Sequence, residues 1–112
     1  MIRVVLKTDE FDLYMKDLPL KVQDKYDYVI QIIQSQYVVS EKFVKKIVDT
    51  CLYEVRISMG NNEYRTMLVA IDAQSFIESK TVILLNSFIK KDTKQYKSEI
   101  QKALSIINKM EG

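Results

Sequence analysis

The sequence predicts an α+β domain of element order β-α-α-β-β-β-α, and three observations carry that expectation. Residues 52–91 (LYEVRISMGNNEYRTMLVAIDAQSFIESKTVILLNSFIKK) read as three consecutive strands ending in a pair of lysines. Two apolar stripes at helical spacing precede that stretch, and a third follows it. The chain has 112 residues, 47% hydrophobic and 29% charged, which is the range of a single globular domain spanning 1–112 and not of a disordered chain.

Ile2 to Lys7 (IRVVLK) is β-branched and opens the chain as a strand. Thr8 can cap a helix whose first turn holds Asp9 and Glu10, where negative charge meets the positive helix end. Phe11, Tyr14, Met15 and Leu18 then recur on one face. Pro19 breaks that helix, because the residue before a proline is driven out of the helical region, and it can begin the next. Val22, Tyr26, Val29, Ile30, Ile33 and Tyr37 form a second, longer stripe opposite Gln23, Asp24, Lys25, Gln31 and Gln34. The resulting helical hairpin needs a sheet to cover. Ser40 and the following EKFVKKIV fit a third short helix or an irregular turn.

Leu52–Ser58 and about Glu63–Asp72 are the next strands, joined through Met59-Gly60-Asn61-Asn62, residues that tolerate positive φ in a hairpin. Alternation places Tyr53, Val55 and Ile57 on one face and Leu52, Glu54 and Arg56 on the other. Residues 73–79 form a polar loop anchored by Phe76 and Ile77, and Lys80–Phe88 is the last strand, apolar on both faces. Asp92 or Thr93 can cap a final helix with the stripe Tyr96, Ile100, Ala103, Leu104 and Ile107.

Charge is uneven along the chain. Residues 80–112 hold seven lysines against three acids, whereas residues 1–79 hold ten cations against twelve acids. A basic end on a near-neutral domain fits an anionic partner, with nucleic-acid phosphates the first candidate and a solvated lysine face the plain alternative. No apolar run approaches the roughly 20 residues of a membrane span, so no membrane partner is expected. The start MIRVVLKTDEF lacks a small-residue cleavage site, and the lone Cys51 fits a reducing cytoplasm.

Histidine is absent, which removes Ser-His-Asp and Cys-His nucleophile pairs and imidazole acid–base chemistry. One cysteine builds no thiolate cage, so no metal site is expected. With only Gly60 and Gly112 there is no glycine loop for a nucleotide, and no small-molecule cofactor is implied. What remains is cations. Arg56 and Arg65 lie in strands, where a charge needs a partner or open solvent. Arg56 can pair with Glu54 or a cross-strand acid. Alternatively, both arginines point from a helix-free face beside Lys90 and Lys91 and grip a phosphodiester, whose two oxygens a guanidinium fork matches.

LYEVRI, then YR, then VILLNSFIKK, then KSEIQKA resembles the RelE/HigB group of type II toxin–antitoxin toxins, and most of all its phage-derived HigB-like branch. The resemblance extends over nearly the whole chain, with specific motifs in residues 52–103. It implies two N-terminal helices on one face of a small twisted antiparallel sheet. It also implies a metal-independent endoribonuclease that cuts mRNA in the ribosomal A site with the ribose 2′-OH as nucleophile, and a cognate antitoxin that holds it inactive. Arg56, Arg65, Lys90, Lys91 and Lys94 match the family's basic residues, and Phe88 its aromatic before the lysine pair. Asn86 stands where the branch usually has histidine, Gln95-Tyr96 replaces a Thr-Pro helix start, and the chain ends without the frequent terminal tyrosine. Asn86 can donate a hydrogen bond but cannot accept a proton as imidazole does. Tyr96 either supplies the missing phenol or packs in the core.

The expected function is therefore an mRNA interferase that arrests translation in the cytoplasm, with ribosome, mRNA and antitoxin as partners. Arg56, Arg65 and Lys90 are its candidate catalytic residues, and Lys91, Lys94, Lys97, Phe88 and Asn86 its candidate RNA-binding residues. Two alternatives stand beside it: a ParE-like toxin that inhibits DNA gyrase, and a catalytically degenerate module that binds antitoxin or RNA.

Overall fold

The computed structural model describes residues 1–111 and runs β1 (Val4–Lys7), α1 (Asp9–Lys16), α2 (Leu20–Ser35), β2 (Val44–Lys46), β3 (Leu52–Met59), β4 (Asn62–Ala70), β5 (Thr81–Ile89), α3 (Thr93–Glu111). One five-stranded sheet of order β1-β5-β4-β3-β2 carries the helices, in the expected α+β class. Thr8 caps α1 by accepting from Phe11 N at 3.1 Å, with Asp9, Glu10 and Asp12 in the first turn. Pro19 sits at the start of α2, where its carbonyl accepts from Val22 N and Gln23 N. The β3–β4 hairpin closes through Gly60-Asn61, with Gly60 at φ +59°; glycine at the first loop position suits the right-handed strand twist.

The sheet differs from the sequence expectation in three ways. Residues 44–46 form β2, a short strand, instead of a helix or turn: Val44 is buried opposite Val55, and Arg56 N donates to Phe43 O at 2.8 Å. β1 runs parallel to β5, so the sheet is mixed instead of wholly antiparallel. Parallel neighbours need a long crossover, and everything between Lys7 and Thr81 supplies it. Finally, both faces are covered. Phe11, Val22, Tyr26, Val29, Ile30 and Ile33 of α1 and α2 pack on Val55, Ile57, Leu68, Val82 and Leu84. On the opposite face, Ala103 and its α3 neighbours Tyr96, Ile100, Leu104 and Ile107 pack on Leu52, Met67, Val69, Ile83, Leu85 and Phe88.

A register shift between Thr66 and Leu68 sets Met67 of β4 against both Leu85 and Asn86 of β5. This bulge changes the parity of β5, so that Ile83 and Leu85 share the α3 face with Phe88. Two expected anchors lie elsewhere: Tyr37 follows the end of α2 and is exposed, and Ile77 is exposed while Phe76 alone is buried.

Phe76 covers an unexpected residue. Arg3 is fully buried, with its guanidinium 4.0 Å from the Phe76 ring centroid. It donates to the carbonyls of Ile33, Gln36, Tyr37, Phe76 and Ile77 and to Ser79 Oγ, which ties the C-terminus of α2 to the loop before β5. Cations suit helix C-termini because unpaired carbonyls gather there.

Candidate functional site

Antiparallel pairing sets the site. Arg56 of β3 stands directly opposite Arg65 of β4, and Arg65 stands opposite Phe88 of β5, so the three side chains form one row across the α3 face. Like charges placed in this way repel. Glu54 is two residues from Arg56 and therefore on the same face. Its Oε1 lies 3.3 Å from Arg56 Nε and 3.9 Å from Arg65 Nε. Neither Nε–H is aligned for a hydrogen bond, so these contacts are ion pairs held by charge more than by direction.

α3 closes the row from above. Tyr96 packs its ring on Phe88 edge-to-face at 6.0 Å between centroids, and its hydroxyl donates to Glu54 Oε2. Burial, and then the Glu54 carboxylate, raise the Tyr96 phenol above its ordinary value of 10.0. Tyr96 is therefore a neutral hydrogen-bond donor at pH 7 and not a base. Arg65 completes its shell through Tyr64 O at 3.0 Å and Glu63 Oε1 at 3.4 Å. Glu63 has its carboxyl held below the ordinary value, first by the Ser58 hydroxyl and then by Arg65.

The face of the two arginines is thus not helix-free. Arg65 is 2% exposed and Glu54 6%, whereas the Arg56 side chain keeps 30% of its surface open. Phe88 is buried in the α3 cluster. Asn86 is buried as well, donating through Nδ2 to Glu99 O and Glu99 Oε1 at 3.0 and 3.1 Å. The lysines are all on the surface. Lys90 N donates to Glu63 O at 2.8 Å, which extends the β4–β5 ladder and fixes Lys90 beside the arginine row. Lys91, Lys94 and Lys97 follow on the turn and first turns of α3, where Asp92 caps Gln95 N at 2.8 Å. Gln95 in return accepts from Lys91 N at 2.8 Å and donates to Ile89 O at 2.9 Å, holding the basic turn in one conformation.

Of the residues expected from the sequence, Arg56, Arg65 and Phe88 are brought into one row, with Lys90 beside it opposite Glu63. Asn86 is directed away, into the α3 packing. Two members of the cluster escaped the sequence reading as site residues. Glu54 was legible only as a partner for Arg56, which strand alternation does place beside it. Tyr96 was legible as a stripe residue or a replacement for the missing phenol, and it proves to be both core and polar contact. Among the described residues no group of carboxylate, thiol or imidazole side chains is arranged to hold a metal ion, and no helix is long and apolar enough to cross a membrane.

Comparison with known proteins agrees with this architecture. A double arginine-to-alanine mutant of the E. coli toxin RelE, in the free state, superimposes with a TM-score of 0.58 at 14% identity, covering 96% of this chain and 99% of that one. At that identity the likeness concerns the fold. No curated protein sequence matches the chain. The family model described as phage derived protein Gp49-like matches residues 13–108, which includes every residue of the row and the basic turn. The chain accordingly belongs to the Gp49-like family of phage-derived proteins, and it shares the fold of the RelE structure.

Proposed function

We propose that this chain is the toxin of a type II toxin–antitoxin pair and acts in the cytoplasm as a ribosome-dependent, metal-independent mRNA endonuclease. The observation that carries the reading is the Arg56–Arg65 pair, in register on one face, with the exposed Lys90 at the end of the adjoining β4–β5 ladder. In the reaction the ribose 2′-OH attacks the adjacent phosphorus, and the bond to the 5′-oxygen breaks. The products are a 2′,3′-cyclic phosphate and a 5′-hydroxyl, with the 2′-OH proton passing to solvent and the leaving oxygen taking one up. Negative charge grows on the phosphoryl oxygens during attack, and the open guanidinium of Arg56 stabilises it. Arg65 acts from beneath, adding positive field and, through Glu54, fixing where Arg56 stands. Lys90 sits where a third charge meets the phosphate. Lys91, Lys94 and Lys97 bind neighbouring phosphates of mRNA and ribosomal RNA. Phe88 holds Tyr96 over the row, and Asn86 anchors α3.

The enclosure of Arg65 favours a second reading, in which the chain binds antitoxin or RNA without cutting. Glu54 and Glu63 together offset the charge of the arginine pair at rest, and Asn86 offers no proton acceptor comparable to imidazole.

Inducing the lone chain in bacteria and mapping mRNA 5′ ends separates the readings. Growth arrest with new ends inside translated frames, lost when initiation is blocked, is the expected result. Arrest with intact mRNA would transfer the target to DNA gyrase, and growth despite soluble folded chain would leave the binding module.

A further inference from the structure

A cleft of about 290 Å³ opens beside the arginine row, on the α2 side of the sheet edge. It is formed because the β2–β3 pairing stops early: Phe43 O accepts from Arg56 N, and beyond that point the outer edge of β3 has no strand partner among the described residues. α2 leans over the gap. Lys25, Tyr28, Lys42, Phe43, Arg56 and Ser58 are among its lining residues, which include three cations and no carboxylate.

The polar and aromatic parts are set in place. Lys25 Nζ donates to the free-edge carbonyl of Ser58 at 2.7 Å, which holds its ammonium at the mouth. Lys42 Nζ lies 5.7 Å from the Phe43 ring centroid, and Arg56 Nη1 lies 3.4 Å from Glu41 O. Tyr28 meets Phe43 edge-to-face at 6.2 Å between centroids, yet is 58% exposed. An exposed aromatic ring beside three cations is the arrangement that single-stranded nucleic acid uses, a stacking platform within a positive groove. The volume is near the lower limit of small-ligand sites, about 300 Å³, and so fits one nucleotide and not a folded domain.

We infer that this cleft is a nucleotide subsite for single-stranded RNA, in which the base stacks on Tyr28 and the phosphate is held by Lys25, Lys42 and Arg56. The inference rests on the proposed RNA-directed function and extends it. Arg56 belongs to both the row and the cleft, so a strand whose reacting phosphate lies on Arg56 delivers an adjoining nucleotide to Tyr28.

The test uses the intact chain and a fluorescently labelled, uncleavable 2′-O-methyl RNA oligonucleotide, with binding read by anisotropy at several salt concentrations. Tyr28→Ala should weaken binding about tenfold, the loss of one base–aromatic stack. The double variant Lys25→Gln, Lys42→Gln should reduce the salt-dependence slope by about 1.4, the share of two single-strand phosphate contacts. Both variants should keep the circular dichroism and urea midpoint of the parent, since these side chains are exposed. Folded variants that bind the oligonucleotide as tightly and with the same salt slope as the parent would overturn the inference. So would a parent that does not bind it, or variants that lose only an acidic peptide, which would make the cleft a protein-docking site. Oligonucleotide binding through the cleft by a chain that leaves cellular mRNA intact would sink the nuclease reading and not this one. Cleavage with unchanged binding by Tyr28→Ala would do the reverse.

Discussion

Glu54 and Tyr96 are 42 residues apart in sequence, yet the Tyr96 hydroxyl donates to the carboxylate that Arg56 and Arg65 share. Four side chains from two strands and a helix thus form one closed polar unit beneath the basic surface. Its stability depends on the carboxylate, because two guanidinium groups placed directly opposite one another repel and one of them is almost fully buried.

Replacing Glu54 with glutamine removes that negative charge and preserves volume. The buried Arg65 then loses its buried counter-charge and keeps only the more exposed Glu63, a change that typically costs up to about 3–5 kcal/mol. The urea midpoint of Glu54→Gln should fall accordingly. A midpoint equal to the parent's would mean that the arginine pair does not need Glu54 and that Glu63 suffices.

Arg56 and Arg65 should separate function from folding. Arg56→Ala removes a partly open group whose ion pair is worth about 1 kcal/mol or less, so the fold should persist. In-frame mRNA cleavage should nevertheless drop about 100-fold or more, the usual loss of one transition-state donor. Arg65→Ala should lose stability as well as activity. Undiminished cleavage by folded Arg56→Ala would remove Arg56 from the chemistry.

Alkaline pH should unfold the protein through its phenols. Burial raises Tyr26 and Tyr96 above the ordinary 10.0, with Thr66 opposing the shift in Tyr26 and Glu54 adding to that of Tyr96. Both groups favour the neutral form in the folded state. Their contribution is therefore complete below pH 10, and it is lost as pH climbs from there through the folded-state values. Tyrosinate absorbance followed against pH should keep part of its amplitude back until the far-ultraviolet circular dichroism collapses. Tyr96→Phe should release a share of that late amplitude and cost about 1.5–3 kcal/mol, the worth of a hydrogen bond to a charged group. A titration completed while the fold is intact would contradict this.

Arg3 should be the least replaceable cation. Six acceptors surround it, and burial lowers its pKa while the guanidinium still holds its charge. A lysine has three donors on a compact head and cannot reach acceptors on both α2 and the loop before β5. Arg3→Lys should cost about 2–4 kcal/mol through carbonyls left unpaired. It should also open residues 71–80 to limited proteolysis, and a resistant loop in Arg3→Lys would show that other contacts hold it.

Much of the fold was legible along the chain because the signals are local. Thr8, Pro19 and Asp92 mark helix starts by chemistry that acts within one turn, and all three do so. Gly60 marks the hairpin because few other residues accept φ near +60°. Alternation in β3 put Glu54 and Arg56 on one face, as found. β2 escaped because three residues carry too little pattern, and its pairing depends on Val55. The bulge at Met67 escaped because a continuous apolar run in β5 hides the change of parity.

The sequence by itself determined the α+β class, the helical hairpin and three central strands, the family, and a basic carboxy-terminal third. All but the family follow from periodicity, capping and charge, which are properties of neighbouring residues, and the family follows from the resemblance of its motifs in residues 52–103. Only the tertiary structure decided that α3 lies over the arginine face, that Arg65 is enclosed while Arg56 is open, and that Arg3 is buried. An apolar stripe specifies that a helix must cover something, not which face of the sheet it covers. Whether a charge can be buried depends on partners brought from elsewhere in the chain. Tyr96 for the arginine row, and the carbonyls of α2 and the loop before β5 for Arg3, meet those residues only when the sheet is complete.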